Sequence, residues 1–440
     1  MVTKSTAVKL GSSVMVLALL AACGGQPQQA VKGPESSTPT PAKPPEPVTL
    51  TFYTKTVLDD FEKYINQYVK KKFPHVTLNL VKNEKGSMIE ELVAAGNIPD
   101  IIWEGVTNIQ TLTPLDLPLD LRPLAQKHGL DLGVYDSKLL DSIKSYSKNG
   151  ELYYLPYNTL AFALHYNKDI FDKFGVPYPT NNMTWSQVIE LSKKLTRSED
   201  GVNYIGMRPP LGLNRMQMQM GLSYADPKTE TAAVTTEGWK NLFETVKMMY
   251  PPSVDPPIKS LFAARDEFLA NRTVAMLPDI LLLHNTDMAK MEKEGLKWDF
   301  VSYPTFKDNV GQGLFSDGFI LPKGGKNTDL AFQIIAYLSS NPDVQLDATK
   351  NGRLTGLKDP AIQKQLFANN EAAKGKNFTA VLSQKYPDPA QATIYDRDGS
   401  SIMNGKLLNY INGTADVNTL LREGQEALDK KITELKASKK

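Results

Sequence analysis

The chain has 440 residues, a formal net charge of +2 and a single cysteine. One cysteine excludes a disulfide framework and a cysteine-based metal site in the folded part, and a nearly neutral chain without a basic stripe argues against nucleic acid as a partner. The body that follows residue 47 is too long for one hydrophobic core, so we expect two lobes.

The first 23 residues have the pattern of a secretion signal. Lys4 and Lys9 precede an apolar run over residues 14–20, and two alanines lead into Cys23. The apolar run is too short to cross a bilayer as a helix, and small residues before a cysteine are similar to the bacterial lipobox. We therefore expect a signal peptide over 1–23, lipidation at Cys23 and anchoring at the extracellular face of the cell membrane. The alternative is a plain secretion signal with an incidental cysteine.

Residues 24–47 predict a disordered linker. Seven prolines stand among Gln, Ser and Thr, and such a segment is stiff and extended because it has too little apolar content to fold. A spacer behind a lipid anchor suits a bacterium with a single membrane and a thick wall.

The first part of the body alternates strands and helices. Strands are predicted at 48–53, 76–80 and 99–103, with helices at 58–73 and 88–95 between them. This order is typical of an open parallel sheet, and ligands bind such sheets at the carboxyl ends of the strands. Lys55, Trp103 and Glu104 are therefore candidates for a ligand edge.

The α/β pattern continues to the end of the chain. Thr184 is a predicted N-cap. Further strands are predicted at 152–156, 161–166, 273–277, 300–304 and 318–321, and further helices at 170–174, 185–195, 238–249, 263–270, 328–339 and 417–435.

Several short blocks occur in a fixed order along the chain: GNIPDI at 96–101, YLPY at 154–157, LHYNKDIF at 164–171, TW at 184–185, FLANRTVAM at 268–276 and GFILP at 318–322. In this order they resemble one family, the extracellular solute-binding proteins of sugar ABC importers. Asn271 stands where the family has glycine. The resemblance implies a two-lobed, periplasmic-binding-protein-like α/β fold of type II with a ligand cleft between the lobes.

By the same resemblance, lobe one holds residues 48–157 and 305–370, and lobe two holds 158–304 and 371–440. The chain would cross between lobes near Pro156, near Pro304 and around residue 370.

A sugar site needs aromatic planes for the C–H faces and paired polar groups for the hydroxyls. Trp103 is the first candidate, with a tryptophan that caps the sheet edge as the alternative. Glu104 beside it could accept hydrogen bonds or be a solvated loop carboxylate. Tyr166 occupies a position that the resemblance assigns to stacking on sugar, or it is a core tyrosine.

The lobe crossings supply the other candidates. Tyr157 and Asn158 either line the cleft or pack in the hinge. Asp317, at the second crossing, is a further candidate that either contacts the ligand or has a structural role. Asp279 is placed at the cleft edge by resemblance, although the following residues are aliphatic where a stacking aromatic is expected. The stretch 395–398 could reach a ligand, but we expect a surface turn.

We searched the sequence for catalytic motifs, namely a Walker loop, a zincin helix, a nucleophile elbow and a dinucleotide fingerprint, and found none. The four histidines show no ligand spacing. We therefore expect a monomeric binding protein without cofactor, whose partners are a small solute, most simply a mono- or oligosaccharide, and a membrane permease. Alternatives are a binder of the same fold for a polyamine, an amino-acid derivative or a metal chelate, a sensor that serves a membrane kinase, and a glycan-processing enzyme.

Overall fold

The computed structural model describes residues 45–55, 58, 60–210, 212–250, 264–281, 287–307 and 309–437. The signal peptide, Cys23 and most of the predicted linker lie outside these residues. Ten strands occur in the described ranges: β1 Val48–Thr54, β2 Val76–Lys82, β3 Ile101–Gly105, β4 Leu155–Thr159, β5 Phe162–Asn167, β6 Arg197–Glu199, β7 Val202–Tyr204, β8 Met276–Ile280, β9 Trp298–Ser302 and β10 Ser316–Ile320.

Seventeen α-helices occur in the described ranges. The helices of the first half are α1 Gln67–Lys72, α2 Ile89–Ala94, α3 Ile109–Leu112, α4 Arg122–Lys127, α5 Ser137–Lys144, α6 Lys168–Phe174, α7 Trp185–Leu195 and α8 Asn214–Gln219. Those of the second half are α9 Glu237–Lys247, α10 Ala264–Leu269, α11 Met288–Lys293, α12 Thr328–Ser340, α13 Pro342–Lys350, α14 Pro360–Gln363, α15 Thr379–Leu382, α16 Asp396–Ile411 and α17 Val417–Ala437. Within the described residues, none of these helices has the length and apolar character needed to cross a membrane.

The first sheet has five strands in the order β2-β1-β3-β10-β4. β1 runs parallel to β2 and β3, as the sequence predicted, and β10 pairs antiparallel with both β3 and β4. β3, in the middle of the sheet, is buried on both faces, which is why its sequence begins as a continuous apolar run. The side chains of the parallel strands form one hydrophobic core with residues of α5 and α12.

The second sheet has three antiparallel strands in the order β8-β5-β9. Its principal core joins α7, α9, α16 and α17. A third cluster joins Phe268 and Trp298 to residues 354, 366–367 and 372–381. The two main cores therefore belong to two lobes, while the exact lobe boundaries stay a prediction.

Thr184 begins α7 as predicted. Its hydroxyl accepts a hydrogen bond from the amide of Gln187 at 3.3 Å, and the Gln187 side chain accepts from the amide of Thr184 at 2.8 Å. This reciprocal cap satisfies amides that the first helical turn leaves without partners.

Two strands differ from the prediction in the same way. β4 and β8 each begin three residues later than expected and continue past a proline, Pro156 in β4 and Pro278 in β8. Both strands lie at the edge of their sheet, where a residue without an amide proton is tolerated. The residues after each proline, including Asp279, therefore lie inside a strand rather than beyond it.

Candidate ligand-binding cleft

One edge of each sheet lies at a common junction. In the first sheet, β1, β3 and β4 end at this edge and the antiparallel β10 begins there. In the second sheet, Phe162 at the start of β5 pairs with Ile280 at the end of β8. Only Leu160 and Ala161 separate β4 from β5, so the two sheet edges lie close together.

A cavity of about 350 Å³ lies at this junction, and we call it the cleft cavity. Lobe one lines it with the residues after β1 and β3 and with the end of α5. Lobe two lines it with α8, the loop after α8 and the start of α16. Most of the lining side chains carry hydroxyl or amide groups; those used below are Lys55, Asn108, Gln110, Thr111, Tyr146, Gln217, Tyr224, Asp396 and Arg397.

Glu104 holds Asn108 at the cavity. The Glu104 side chain is fully buried, and its Oε1 accepts from the Asn108 amide at 2.8 Å and from the backbone amide of Gly105 at 2.9 Å. Glu104 therefore orients a lining residue rather than lining the cleft cavity itself. A short 3-10 turn over Val106–Asn108 leads from β3 into α3 and carries Asn108 to the cavity.

Lys55 is the one sequence-predicted ligand residue that lines the cleft cavity. It follows β1 directly, and its backbone amide bonds to the carbonyl of Trp103 at 3.4 Å. Its ammonium group donates to the hydroxyl of Thr111, another lining residue, at 3.3 Å.

Asp396 connects the lobes across the cavity. It is the first residue of α16, and its carboxylate accepts from the Thr393 hydroxyl at 2.5 Å and from the Gln110 amide of α3 at 3.1 Å. Burial raises the pKa of Asp396 above its ordinary value, although the hydrogen bonds from Thr393 and Gln110 oppose the shift. The predicted surface turn at 395–398 is wrong, because a 16-residue helix begins there and brings Asp396 and Arg397 to the cavity.

Gln219 fixes α8 against the second crossing. Its amide donates to the carbonyls of Pro304 at 2.8 Å and Val310 at 3.0 Å, and its oxygen accepts from the indole of Trp185 at 2.8 Å. The neighbouring Gln217, on the same helix, lines the cleft cavity. These bonds tie the lobe-two wall of the cavity to the chain segment that joins the lobes.

Trp103 and Tyr157 lie in the core of lobe one. Both are fully buried, their rings are 5.5 Å apart at 63°, and both rings also contact Phe319 edge to face. The Tyr157 hydroxyl donates to the carbonyl of Tyr64 at 3.0 Å. Neither residue lines the cleft cavity, so the structure places them behind it as packing residues.

Asn158 and Asp317 pair across β4 and β10 at the crossing. Asn158 is fully buried, and its carbonyl accepts from the Ser316 hydroxyl at 2.7 Å. Asp317 forms an ion pair with Arg353 at 3.3 Å, and the Arg353 side chain is only 4% exposed. Both predicted residues thus contribute to packing at the crossing and not to the cavity lining.

Tyr166 and Asp279 lie in the second sheet. Tyr166 is near the end of β5 that is remote from the junction and packs on Phe171 and Tyr178. Burial raises the pKa of Tyr166 to about 12. Asp279 is fully buried within β8 and forms an ion pair with Arg265. Neither residue lines the cleft cavity.

Most of the polar lining that sequence reasoning missed comes from three segments, residues 106–111, 214–224 and 396–400. The polar run from Thr107 to Thr111 directly after β3 is the one local signal that could have identified part of it. A second cavity, of about 380 Å³, lies against the crossings and contains none of the predicted site residues. In the described part of the chain, no cluster of His, Cys, Asp or Glu could hold a metal ion.

Solved structures share the fold over nearly the whole chain. An ABC substrate-binding protein from Listeria monocytogenes in complex with cycloalternan superposes with a TM-score of 0.69 at 18% identity, covering 88% of this chain and 100% of that one. At this level of identity the similarity shows the fold alone.

Curated relatives match parts of the chain. A binding protein of Brucella abortus is 24% identical over 247 residues, which are 53% of this chain and 57% of the relative. The arabinooligosaccharide-binding protein of Bacillus subtilis is 31% identical over 159 residues, 34% of this chain and 35% of the relative. The chain thus spans little more than half of one relative's length and about a third of the other's. The model of the bacterial extracellular solute-binding protein family matches residues 55–345. The chain therefore belongs to the bacterial extracellular solute-binding protein family.

Proposed function

We propose that this protein is the substrate-binding component of an ABC importer and captures a small carbohydrate by closing its two lobes around it. The observation that supports this most strongly is a cavity that both lobes line, mostly with residues that carry hydroxyl or amide groups, and that the contact between Gln110 and Asp396 bridges. The ligands named for the Listeria and Bacillus proteins, cycloalternan and arabinooligosaccharides, support the same assignment.

The lining chemistry fits a sugar better than a polyamine. Hydroxyl and amide side chains pair with sugar hydroxyls, and Tyr146 and Tyr224 supply aromatic surface for the C–H faces. An amine site would need converging carboxylates, whereas Asp396 is the only carboxylate among the described lining residues. A volume of about 350 Å³ is near the lower end of ligand pockets, which favours a mono- or disaccharide.

Closure follows from contact with both lobes. A ligand held by Asn108 on lobe one and Asp396 on lobe two makes all of its bonds only when the lobes are closed, so it shifts the population toward the closed state. Shifting the population from mostly open to mostly closed requires the ligand to bind the closed state more strongly by about 5.5 kcal/mol. A micromolar dissociation constant corresponds to a binding free energy of about 8 kcal/mol, which is large enough to drive closure. The closed protein then docks on the permease as a monomer and releases its ligand chemically unaltered.

We also propose that a lipid on Cys23 holds the protein at the outer face of the membrane. The lipobox-like residues before Cys23 and the proline-rich linker behind it support this assignment.

A saccharide that raises the melting temperature is first identified by a thermal-shift screen, and its affinity is then measured by calorimetry. Asp396→Asn removes a charged acceptor while conserving shape, so we expect binding of a neutral saccharide to weaken by roughly 10- to 100-fold. Asp398→Asn is the matched control, because Asp398 is in the same helical turn but does not line the cleft cavity. Equal affinities for Asp396→Asn and the unsubstituted protein would contradict the assignment of the site. Recovery of an altered saccharide after incubation would contradict the assignment as a binding protein.

A further inference from the structure

Among the described residues, the lining of the cleft cavity carries more positive than negative side chains. The described lining residues include two cations, Lys55 from lobe one and Arg397 from lobe two, against the single carboxylate of Asp396. The cations therefore come from opposite walls of the same cavity.

Neither cation has a carboxylate partner in the described part of the chain. Lys55 donates to the Thr111 hydroxyl, and no ion pair involves Lys55 or Arg397 among the described residues. Two other cations near the crossings form ion pairs, Arg353 with Asp317 and Arg265 with Asp279. Lys55 is partly buried and Arg397 is solvent-exposed, so both are accessible to a ligand in the cleft cavity.

The one lining carboxylate is already engaged. Both Asp396 oxygens accept hydrogen bonds from within the protein, one from Thr393 and one from Gln110. Its burial also raises its pKa, which weakens it as a counter-ion for Lys55 or Arg397. Arg397 lies in the first turn of the 16-residue helix α16, where the helix dipole adds further positive potential.

We infer that the preferred solute of the cleft cavity is a small saccharide that carries an anionic group, either a carboxylate or a phosphate. This inference rests on the proposed function and narrows its substrate class. In the absence of ligand, the two cations repel each other when the lobes close. An anionic group that contacts both replaces this repulsion with two charge-assisted hydrogen bonds, which are stronger than neutral ones. The contact that favours an anionic saccharide over a neutral one is then also the contact that stabilises the closed state.

The test compares each neutral sugar with its acidic partner by calorimetry on the whole folded protein. The pairs are glucose with glucuronate and galactose with galacturonate, and glucose 6-phosphate distinguishes a phosphate from a carboxylate. We expect at least one acidic sugar to bind about tenfold or more tightly than its neutral partner. Raising the salt concentration should weaken the acidic sugar more than the neutral one.

Two variants locate the effect. Lys55→Gln and Arg397→Gln should each reduce the ratio of acidic to neutral affinity by about tenfold. The control is Lys82→Gln, which removes an exposed lysine at the end of the neighbouring strand β2 and should leave the ratio unchanged. Melting curves without ligand check that all three variants are folded.

The inference is overturned if no acidic sugar binds more tightly than its neutral partner, or if the preference survives both lining substitutions. In either case, binding of neutral sugars would leave the proposed function standing. If no saccharide of any kind binds, both the inference and the proposed function fail.

Discussion

His165 should make the protein sensitive to mild acid. It lies in the middle of β5, fully buried, and its Nδ1 is 3.2 Å from the carbonyl oxygen of Leu277. Its ring packs against Trp298 and Phe300. Burial lowers the pKa of His165 from 6.5 to about 4, and the nearby Asp279 carboxylate opposes this only in part.

The sign of the effect follows from proton linkage. The unfolded state binds a proton at His165 near pH 6.5 while the folded state does not, so stability is lost as the pH falls from 6.5 toward 4. This fall in pKa lowers the free energy of unfolding by about 3 kcal/mol once His165 is protonated in both states, and by about 2 kcal/mol at pH 5.

The assay is urea unfolding at pH 7.5 and pH 5.0. His165→Asn keeps an amide donor at the δ position but removes the titration, so its loss of stability between the two pH values should be smaller than that of the unsubstituted protein by about 2 kcal/mol. His75→Gln controls for the removal of a histidine outside the core of lobe two. Equal losses for His165→Asn and the unsubstituted protein would refute the claim that His165 is buried in its neutral form.

Two further predictions concern packing and anchoring. Gly318→Ala should destabilise the protein by about 2–3 kcal/mol, because its Cβ would lie 2.3 Å from the backbone oxygen of Leu155. Both effects are measured in thermal melts, where Gly405→Ala in α16 should be neutral or slightly stabilising because a Cβ there meets nothing within 4 Å. A Gly318→Ala variant as stable as the unsubstituted protein would contradict the β4–β10 packing. Cys23→Ser should move the protein from the membrane fraction into the medium of the producing cells, whereas continued membrane association would argue against a lipid at this position.

The fold was largely predictable because it depends on local patterns. Alternating apolar strands and amphipathic helices indicate a parallel sheet, and β1, β2 and β3 pair as predicted. The errors at β4 and β8 have one cause. The predicted strands ended at Pro156 and at Leu277, directly before Pro278, whereas an edge strand accommodates a proline and continues past it, and sequence alone does not identify which strands lie at an edge.

The site was much less predictable. In a parallel strand that is buried on both faces, position along the chain does not show whether a side chain points to the core or to a cavity. Trp103 was therefore chosen as a ligand contact although it packs in the core, while Asn108, five residues later, lines the cavity. Asp396 was missed because α16 contains two glycines and two serines, a composition that predicts a turn rather than a helix.

A crystal structure of the protein with a saccharide selected by the thermal-shift screen would test the central claim most directly. We predict sugar density in the cleft cavity, with hydroxyl groups in hydrogen-bond contact with Asn108 or Gln110 on lobe one and with Asp396 on lobe two. A saccharide bound outside this cavity, or one that contacts a single lobe only, would contradict the account.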